Sequence, residues 1–183
     1  MASGQKSEQN PEPLYDLWLK LATGPYITIS HVRGKANAGG VGFVAASDIV
    51  IASQDAQFSL SELLFGLFPA CVLPFLIRRI GFQKAHYLTL MTQPISSQQA
   101  HTWGLVDVCD AQSDSLLRKH LLRLRCLSKT GIVRYKRYMN GLYDSLLQSK
   151  SLALEANHEV FSDTRNLDGI FRYIEKGKLP WVD

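Results

Sequence analysis

The chain has little cysteine and no long apolar run, and each shortage removes a class of protein. Its three cysteines, Cys71, Cys109 and Cys126, are odd in number and far apart, so they offer neither a disulfide framework nor a Cys-x-x-Cys motif. That usage suits a reducing cytoplasm. No apolar stretch reaches the ~18 residues of a membrane span, and residues 1–10 are polar and lack the apolar region of a secretory signal. The histidines show no His-x-x-x-His or Glu-x-x-His pairing on a helical turn, which disfavours a metal site. Gly39-Gly40-x-Gly42 has neither the Gly-x-Gly-x-x-Gly spacing of a dinucleotide fold nor the Gly-Lys-Ser/Thr ending of a P-loop. With no Gly-x-Ser-x-Gly elbow, Ser30-His31 is a poor basis for a hydrolase triad. The net charge of +4 permits an acidic partner, but no basic tract interleaved with aromatics argues for nucleic acid.

What the sequence does contain is a 183-residue chain, 46% apolar, of a size for one domain with a core. A flexible leader at 1–10 precedes Pro11-Glu12-Pro13, which can open a helix carrying Leu14, Leu17, Trp18 and Leu21 at helical spacing. The β-branched and aromatic residues at 26–32 predict a buried strand, followed by the glycine turn, a short helix through Ala45 and Ala46, and a second buried strand at 49–52. Helices are predicted at 72–80 and 82–92, then from a capping box formed by Ser96 and Gln99, with a strand at 105–108. Ser113 is expected to cap a helix to about 127, with further helices at 132–147, 151–161 and 167–175.

Two features could carry chemistry. A glycine turn entering a helix exposes N–H groups with no acceptor inside the helix, at the end where the dipole favours negative charge. Gly39 and Gly40 therefore fit an oxyanion site, although close helix–sheet packing explains them equally well. Glu62 stands in Leu60-Ser61-Glu62-Leu63-Leu64-Phe65, where desolvation would raise its pKa toward the range useful for proton transfer; an exposed glutamate at a helix start is the alternative. Arg78 and Arg79 near a helix end suit either the dipole or a phosphate contact, and the basic residues at 118–129 suit a solvated face.

These pieces occur in a specific order. Gly34-x-x-x-x-Gly39-Gly40-x-Gly42, then Ala45-Ala46-Ser47-Asp48-Ile49-Val50-Ile51-Ala52, Ala56-Gln57-Phe58, Glu62, Gly66 and Pro69 together resemble the crotonase (enoyl-CoA hydratase/isomerase) superfamily. The likeness continues through Ile80-Gly81, Ala85, Leu90-Met91-Thr92, Ile95-Ser96, Ala100 and Trp103-Gly104-Leu105-Val106-Asp107 and covers nearly everything after residue 25. The wording of residues 12–18 and 59–66 is similar to the polyketide-biosynthesis branch and its β-branching dehydratases.

The resemblance implies an α/β, crotonase-like (ClpP/crotonase) fold, N-terminally truncated: a leader at 1–10, the C-terminal part of the α/β core at 11–110 and a helical oligomerisation region at 111–183. It implies that the N–H of Gly39, beside Gly40, holds a thioester oxygen as an enolate forms, and that Glu62 is the acid/base. Typical hydratases carry two glutamates, and the position of the first is Gly42 here. The implied reaction is dehydration of a 3-hydroxy-3-methylglutaryl group on an acyl carrier protein to 3-methylglutaconyl. It needs no cofactor beyond the phosphopantetheine or coenzyme A that carries the substrate, and no metal. An isomerase, a decarboxylase, or an inactive member serving only carrier binding or oligomerisation are the alternatives. A homo-trimer or hexamer is implied, with Phe161, Ile170, Phe171, Ile174 and Trp181 as apolar contact surface, and Arg78 and Lys178 as contacts for the carrier or its phosphate.

Overall fold

A computed structural model describes residues 10–163 together with Asn166 and Tyr173. The first helix, α1 (Glu12–Thr23), starts beside Pro11 and Pro13, where missing N–H groups cost nothing, and ends as Gly24 N–H returns to the Lys20 carbonyl at 2.9 Å. There follow β1 (Ile29–Val32), β2 (Lys35–Asn37), α2 (Gly39–Ala46), β3 (Ile49–Ser53) and β4 (Gln57–Ser59), then a 3₁₀ turn at Glu62–Phe65. Next come α3 (Leu73–Ile80), α4 (Phe82–Met91), β5 (Ile95–Ser96), α5 (Ser97–Trp103) and β6 (Val108–Asp110). The helices α6 (Ser113–Leu124), α7 (Lys129–Leu142), α8 (Ser145–Gln148) and α9 (Lys150–Ser162) complete the described part.

The strands form two small sheets. One is parallel, ordered β1-β3-β6, with Ile29 opposite Ile49 and Ile51 opposite Val108. The other, β2-β4-β5, pairs β2 with β4 in parallel and β4 with β5 antiparallel. Val50, Ile51 and Ala52 of β3 are all fully buried, which is why this strand is apolar without alternation. The core is centred where α1 and α3 close on α2. There Tyr15 and Phe75 have ring centroids 5.0 Å apart and Trp18 and Phe75 5.8 Å apart. The Tyr15 hydroxyl donates to the Leu146 carbonyl at 2.6 Å, tying α1 to α8, and burial pushes this phenol up to about 12.

The predicted elements shift in ways that local hydrogen bonding explains. The first strand begins at Ile29 rather than residue 26, because Tyr26 Oη donates to the Lys20 carbonyl and Thr28 N–H goes to the Asp48 carboxylate instead of a ladder. The strand expected at 105–108 lies at Val108–Asp110. Gly104 closes α5 at φ 86, and the N–H groups of Leu105 and Val106 both return to Ala100. Ser96 does cap α5, accepting from Gln99 N–H at 3.2 Å. Ser113 does not cap α6: Gln112 is the cap and the Ser113 hydroxyl bonds His31 Nε2 at 2.9 Å. The helix expected at 132–147 starts three residues earlier, on a Ser128 cap, and is broken at Tyr143, which is extended. The strands β2, β4 and β5, two or three residues each, are additional. Of the helix expected at 167–175 only Tyr173 is described; Ile170, Phe171 and Ile174, with Lys178 and Trp181 beyond it, fall outside the described residues.

Candidate active site

The site is built where β2 and β4 end. These strands are parallel with Asn37 opposite Ser59, so both chains leave the sheet at the same edge, beyond the carboxyl ends where parallel sheets present ligand sites. From β2 the chain passes through Ala38 into α2; from β4 it passes through Leu60 and Ser61 into the 3₁₀ turn. The Ala38 N–H donates to the Ser59 carbonyl at 3.1 Å and so ties the two exits together. A polar cluster reinforces the tie: Ser59 Oγ donates to Asn37 Oδ1 at 3.1 Å, and Asn37 Nδ2 donates to Ser61 Oγ at 3.4 Å.

Ala38 adopts φ 51 and ψ −124, a left-handed region unusual for any residue with a Cβ. Such strain costs on the order of 1–3 kcal/mol and persists where the surroundings enforce it. Here it turns the chain abruptly into α2, whose first two N–H groups, on Gly39 and Gly40, find no acceptor among the described residues. Those N–H groups stand at the positive end of a helix.

Glu62 opens the 3₁₀ turn, which ends as Gly66 N–H returns to the Leu63 carbonyl at 3.2 Å with Gly66 at φ 75. The side chain is half-buried, and its Oε2 is buried without a hydrogen-bond partner among the described residues. Burial raises its pKa above the ordinary value, against the opposing pull of its own N–H and that of Ser61. Asn166 and Tyr173 lie against the back of the turn. Asn166 packs so closely on Gly66 that a Cβ there would collide with its amide oxygen, and the rings of Phe65 and Tyr173 are 5.4 Å apart.

The structure thus brings the exits carrying Gly39, Gly40 and Glu62 together at one sheet edge, and it does not bring Arg78 there. Arg78, near the end of α3, lines a cavity of about 310 Å³ with Asp48, Arg79 and Asp107 at the opposite end of α2. Desolvation lowers its pKa while Asp48 acts against this, but the side chain is exposed and stays charged. Its neighbour Arg79 is structural, donating to Asp107 at 2.6 Å and to the carbonyls of Ser47 and Leu105 at 2.7 and 3.0 Å. Lys178 lies outside the described residues. Sequence reasoning missed Ala38, Asn37, Ser59, Ser61 and Trp18, whose indole packs on the glycine face of α2. The signal for Trp18 was a large aromatic one helix away from three glycines.

A carboxyl group that holds its proton more tightly than usual and has one oxygen unpaired among the described residues, on the chain exit beside a helix start whose first N–H groups are also unpaired there, can exchange a proton while a developing anion is stabilised. No helix among the described residues is long and apolar enough to cross a membrane. Comparison with known proteins agrees with the geometry. The enoyl-CoA hydratase/isomerase family profile matches residues 1–183. The chain is 65% identical over its whole length to the bacillaene synthase dehydratase PksH of Bacillus subtilis, spanning 71% of that protein. It is 29% identical over 160 residues, 84% of its length, to the mevalonyl-coenzyme A hydratase sidH of Aspergillus fumigatus, spanning 59% of it. The crystal structure of a polyketide biosynthesis enoyl-CoA hydratase from Bacillus subtilis superposes with a TM-score of 0.93 at 66% identity, covering 97% of this chain and 70% of that one. A Mycobacterium avium structure at 20% identity has a TM-score of 0.84, covering 94% of this chain and 69% of that one, and shows the same fold. With that fold and a match along its whole length, the chain belongs to the enoyl-CoA hydratase/isomerase family, the crotonase superfamily, as a hydratase-like enzyme.

Proposed function

We propose that the protein dehydrates a 3-hydroxy-3-methylglutaryl thioester on an acyl carrier protein, giving the 3-methylglutaconyl thioester of polyketide β-branching. The observation that carries this reading is the buried Oε2 of Glu62, without a hydrogen-bond partner among the described residues and with its raised pKa, at the sheet edge where α2 begins. Ionised Glu62 removes a proton from C2; the negative charge moves to the thioester oxygen, where the Gly39 N–H donates to it. The C3–O bond then breaks as Glu62 returns the proton to the departing hydroxyl, and water leaves. One carboxylate suffices, because the proton taken is the proton given back. The names of two relatives support the substrate class: one is a dehydratase of a polyketide synthase, and the other is named for a mevalonyl thioester, which carries a hydroxyl and a methyl on C3 as the proposed substrate does.

The carrier-bound substrate would be met by a homo-trimer or hexamer in the cytoplasm, with Arg78 and Lys178 as contacts for the carrier's acidic face or the phosphopantetheine phosphate. Incubation with the carrier-bound thioester, followed by mass analysis of the carrier, is expected to show loss of one water and a conjugated product. Turnover should fall as salt rises and with Arg78→Ala. A double bond that moves without loss of water, or loss of carbon dioxide, would replace this reading with an isomerase or a decarboxylase. Equal turnover of the free coenzyme A thioester, indifferent to salt, would remove the carrier contact alone.

A further inference from the structure

We propose that Asn37 is a positioning residue: its amide, acting through Ser61, holds Glu62 in a fixed place relative to the Gly39 N–H. The inference rests on the dehydratase reading of Glu62 and adds a residue from the opposite strand. Asn37 is the last residue of β2, directly before the strained Ala38 and so next but one to Gly39. In the parallel pairing it stands opposite Ser59, on the strand that leads to Glu62. The pair before it, Ala36 and Phe58, points into the core at 9% and 0% exposure, so alternation turns Asn37 and Ser59 to the outer face.

On that face one amide answers two hydroxyls. Asn37 Oδ1 accepts from Ser59 Oγ at 3.1 Å, and Ser61 Oγ lies 3.4 Å from Nδ2, which donates to it, and 3.5 Å from Oδ1. Asparagine offers a donor and an acceptor on one short, uncharged group. Aspartate would bring a second negative charge to the exit that carries Glu62, and leucine would hold neither serine.

The effect on Ser61 is what reaches the chemistry. Ser61 is the cap residue of the 3₁₀ turn, yet its hydroxyl makes no bond to a turn N–H, the bond for which serine is favoured at caps. The hydroxyl is committed to β2 instead, while the Ser61 carbonyl accepts from Leu64 N–H at 3.1 Å. Held through both groups, Ser61 keeps its own N–H where it favours the ionised form of Glu62, against the burial that disfavours it. No charged side chain among the described residues enters that balance. With the Ala38 N–H on the Ser59 carbonyl, the two exits are tied once by main chain and once by side chain. Deleting the side-chain tie leaves the strand pairing in place, because the Asn37 side chain is exposed, and frees Ser61 to cap its own turn and draw its N–H off the carboxylate.

The test is a cycle of Asn37→Ala, Ser61→Ala and the double variant in the full chain, acting on the carrier-bound thioester. Each single change should lower kcat about five- to tenfold, as loss of one hydrogen bond does, with KM unchanged. The double variant should lose no more than either single one, because both remove the same link. Asn37→Ala should keep Tm within about 1–2 °C of wild type, as exposed substitutions do. In all three variants the acid limb of the kcat profile should move to higher pH, since the Ser61 N–H no longer favours the carboxylate, and an isotope-edited NMR titration of the Glu62 carboxyl should move the same way without substrate. A double variant that loses the product of the two single losses, or a Glu62 titration that Asn37→Ala leaves in place, would overturn the proposal. So would a lowered Tm with unchanged kcat per folded molecule, which makes Asn37 merely structural, or a raised KM with unchanged kcat, which makes it a substrate contact. Full turnover by a folded Glu62→Gln variant would remove the dehydratase reading, and the NMR titration would still decide whether Asn37 acts on that carboxyl.

Discussion

The two ends of α2 are made from the same kind of residue and treated oppositely. At the C-terminal end each of the main polar groups is answered: the Ser47 hydroxyl donates to Phe43, the Ser47 carbonyl accepts from Arg79, and Asp48 takes Thr28 N–H and the ammonium of Lys136. At the N-terminal end Gly39 N–H, Gly40 N–H and Glu62 Oε2 have no partner among the described residues, and Ala38 is strained. Both ends are firmly held, so looseness is not the difference. A buried polar group left unpaired in a rigid setting costs stability, and a ligand that supplies the partner recovers it. The paired end builds the fold; the unpaired end is where a thioester would be completed.

Breaking the unpaired end should cost rate and spare the fold. The largest effect is expected from Glu62→Gln, which keeps shape and removes the proton carrier: turnover should fall by about 10²–10⁴ with no loss in Tm. A folded variant with near-normal turnover would move the chemistry elsewhere. Gly39→Pro comes next. Proline is tolerated in the first helical position but also restricts the strained Ala38 before it; the lost N–H alone is worth about 3 kcal/mol or roughly a hundredfold in rate. Circular dichroism on the same sample separates lost catalysis from a disturbed turn.

Breaking the paired end should do the reverse. Lys136 is 6% exposed and reaches both Asp48 and the Ala22 carbonyl. Lys136→Met would leave the Asp48 charge unanswered. A fully buried pair broken in this way loses about 3–5 kcal/mol, but the Asp48 side chain keeps 24% of its surface in water. About 2 kcal/mol is therefore expected, seen as a Tm lower by roughly 4–8 °C. Turnover per folded molecule should be unchanged at temperatures where the variant is folded. A fall in turnover matching that of Gly39→Pro would mean that the two ends of α2 act as one unit.

Much of this contrast could be read from the sequence, for reasons that differ by element. The apolar run of β3 and the glycine-led α2 were legible because burial on both faces and a tight turn each demand particular residues. Ser96 and Gln99 announced α5 through a cap that is local by nature. The strands β2 and β4, which bring Ala38 and Glu62 to one edge, were not legible, because three residues carry too little alternation to register. Glu62 stood out through its apolar neighbours, whereas its missing partner is a property of the fold. The break at Tyr143 escaped because the apolar spacing runs on across it. Gly42 was read as a missing carboxylate; that Trp18 fills the space could only come from the packing of α1 on α2.

The smallest expected effect is also the one that most sharpens the contrast, because it asks Glu62 about stability rather than rate. Burial raises the folded-state pKa of Glu62 above its unfolded value. In strong acid the group is protonated in both states and contributes nothing. As pH rises past the ordinary glutamate value of about 4.3, the unfolded chain gives up this proton while the folded chain keeps it. Stability then declines until the folded pKa is passed, after which the deficit is constant. Glu62→Gln has no such dependence. The difference in Tm between variant and wild type should therefore be smallest near about pH 4 and grow in favour of the variant toward neutrality. Thermal unfolding of the two proteins in parallel across that range measures it. A difference that is flat, or largest in acid, would mean that folding does not raise the pKa of this carboxyl and that the N-terminal end of α2 is no less satisfied than the other.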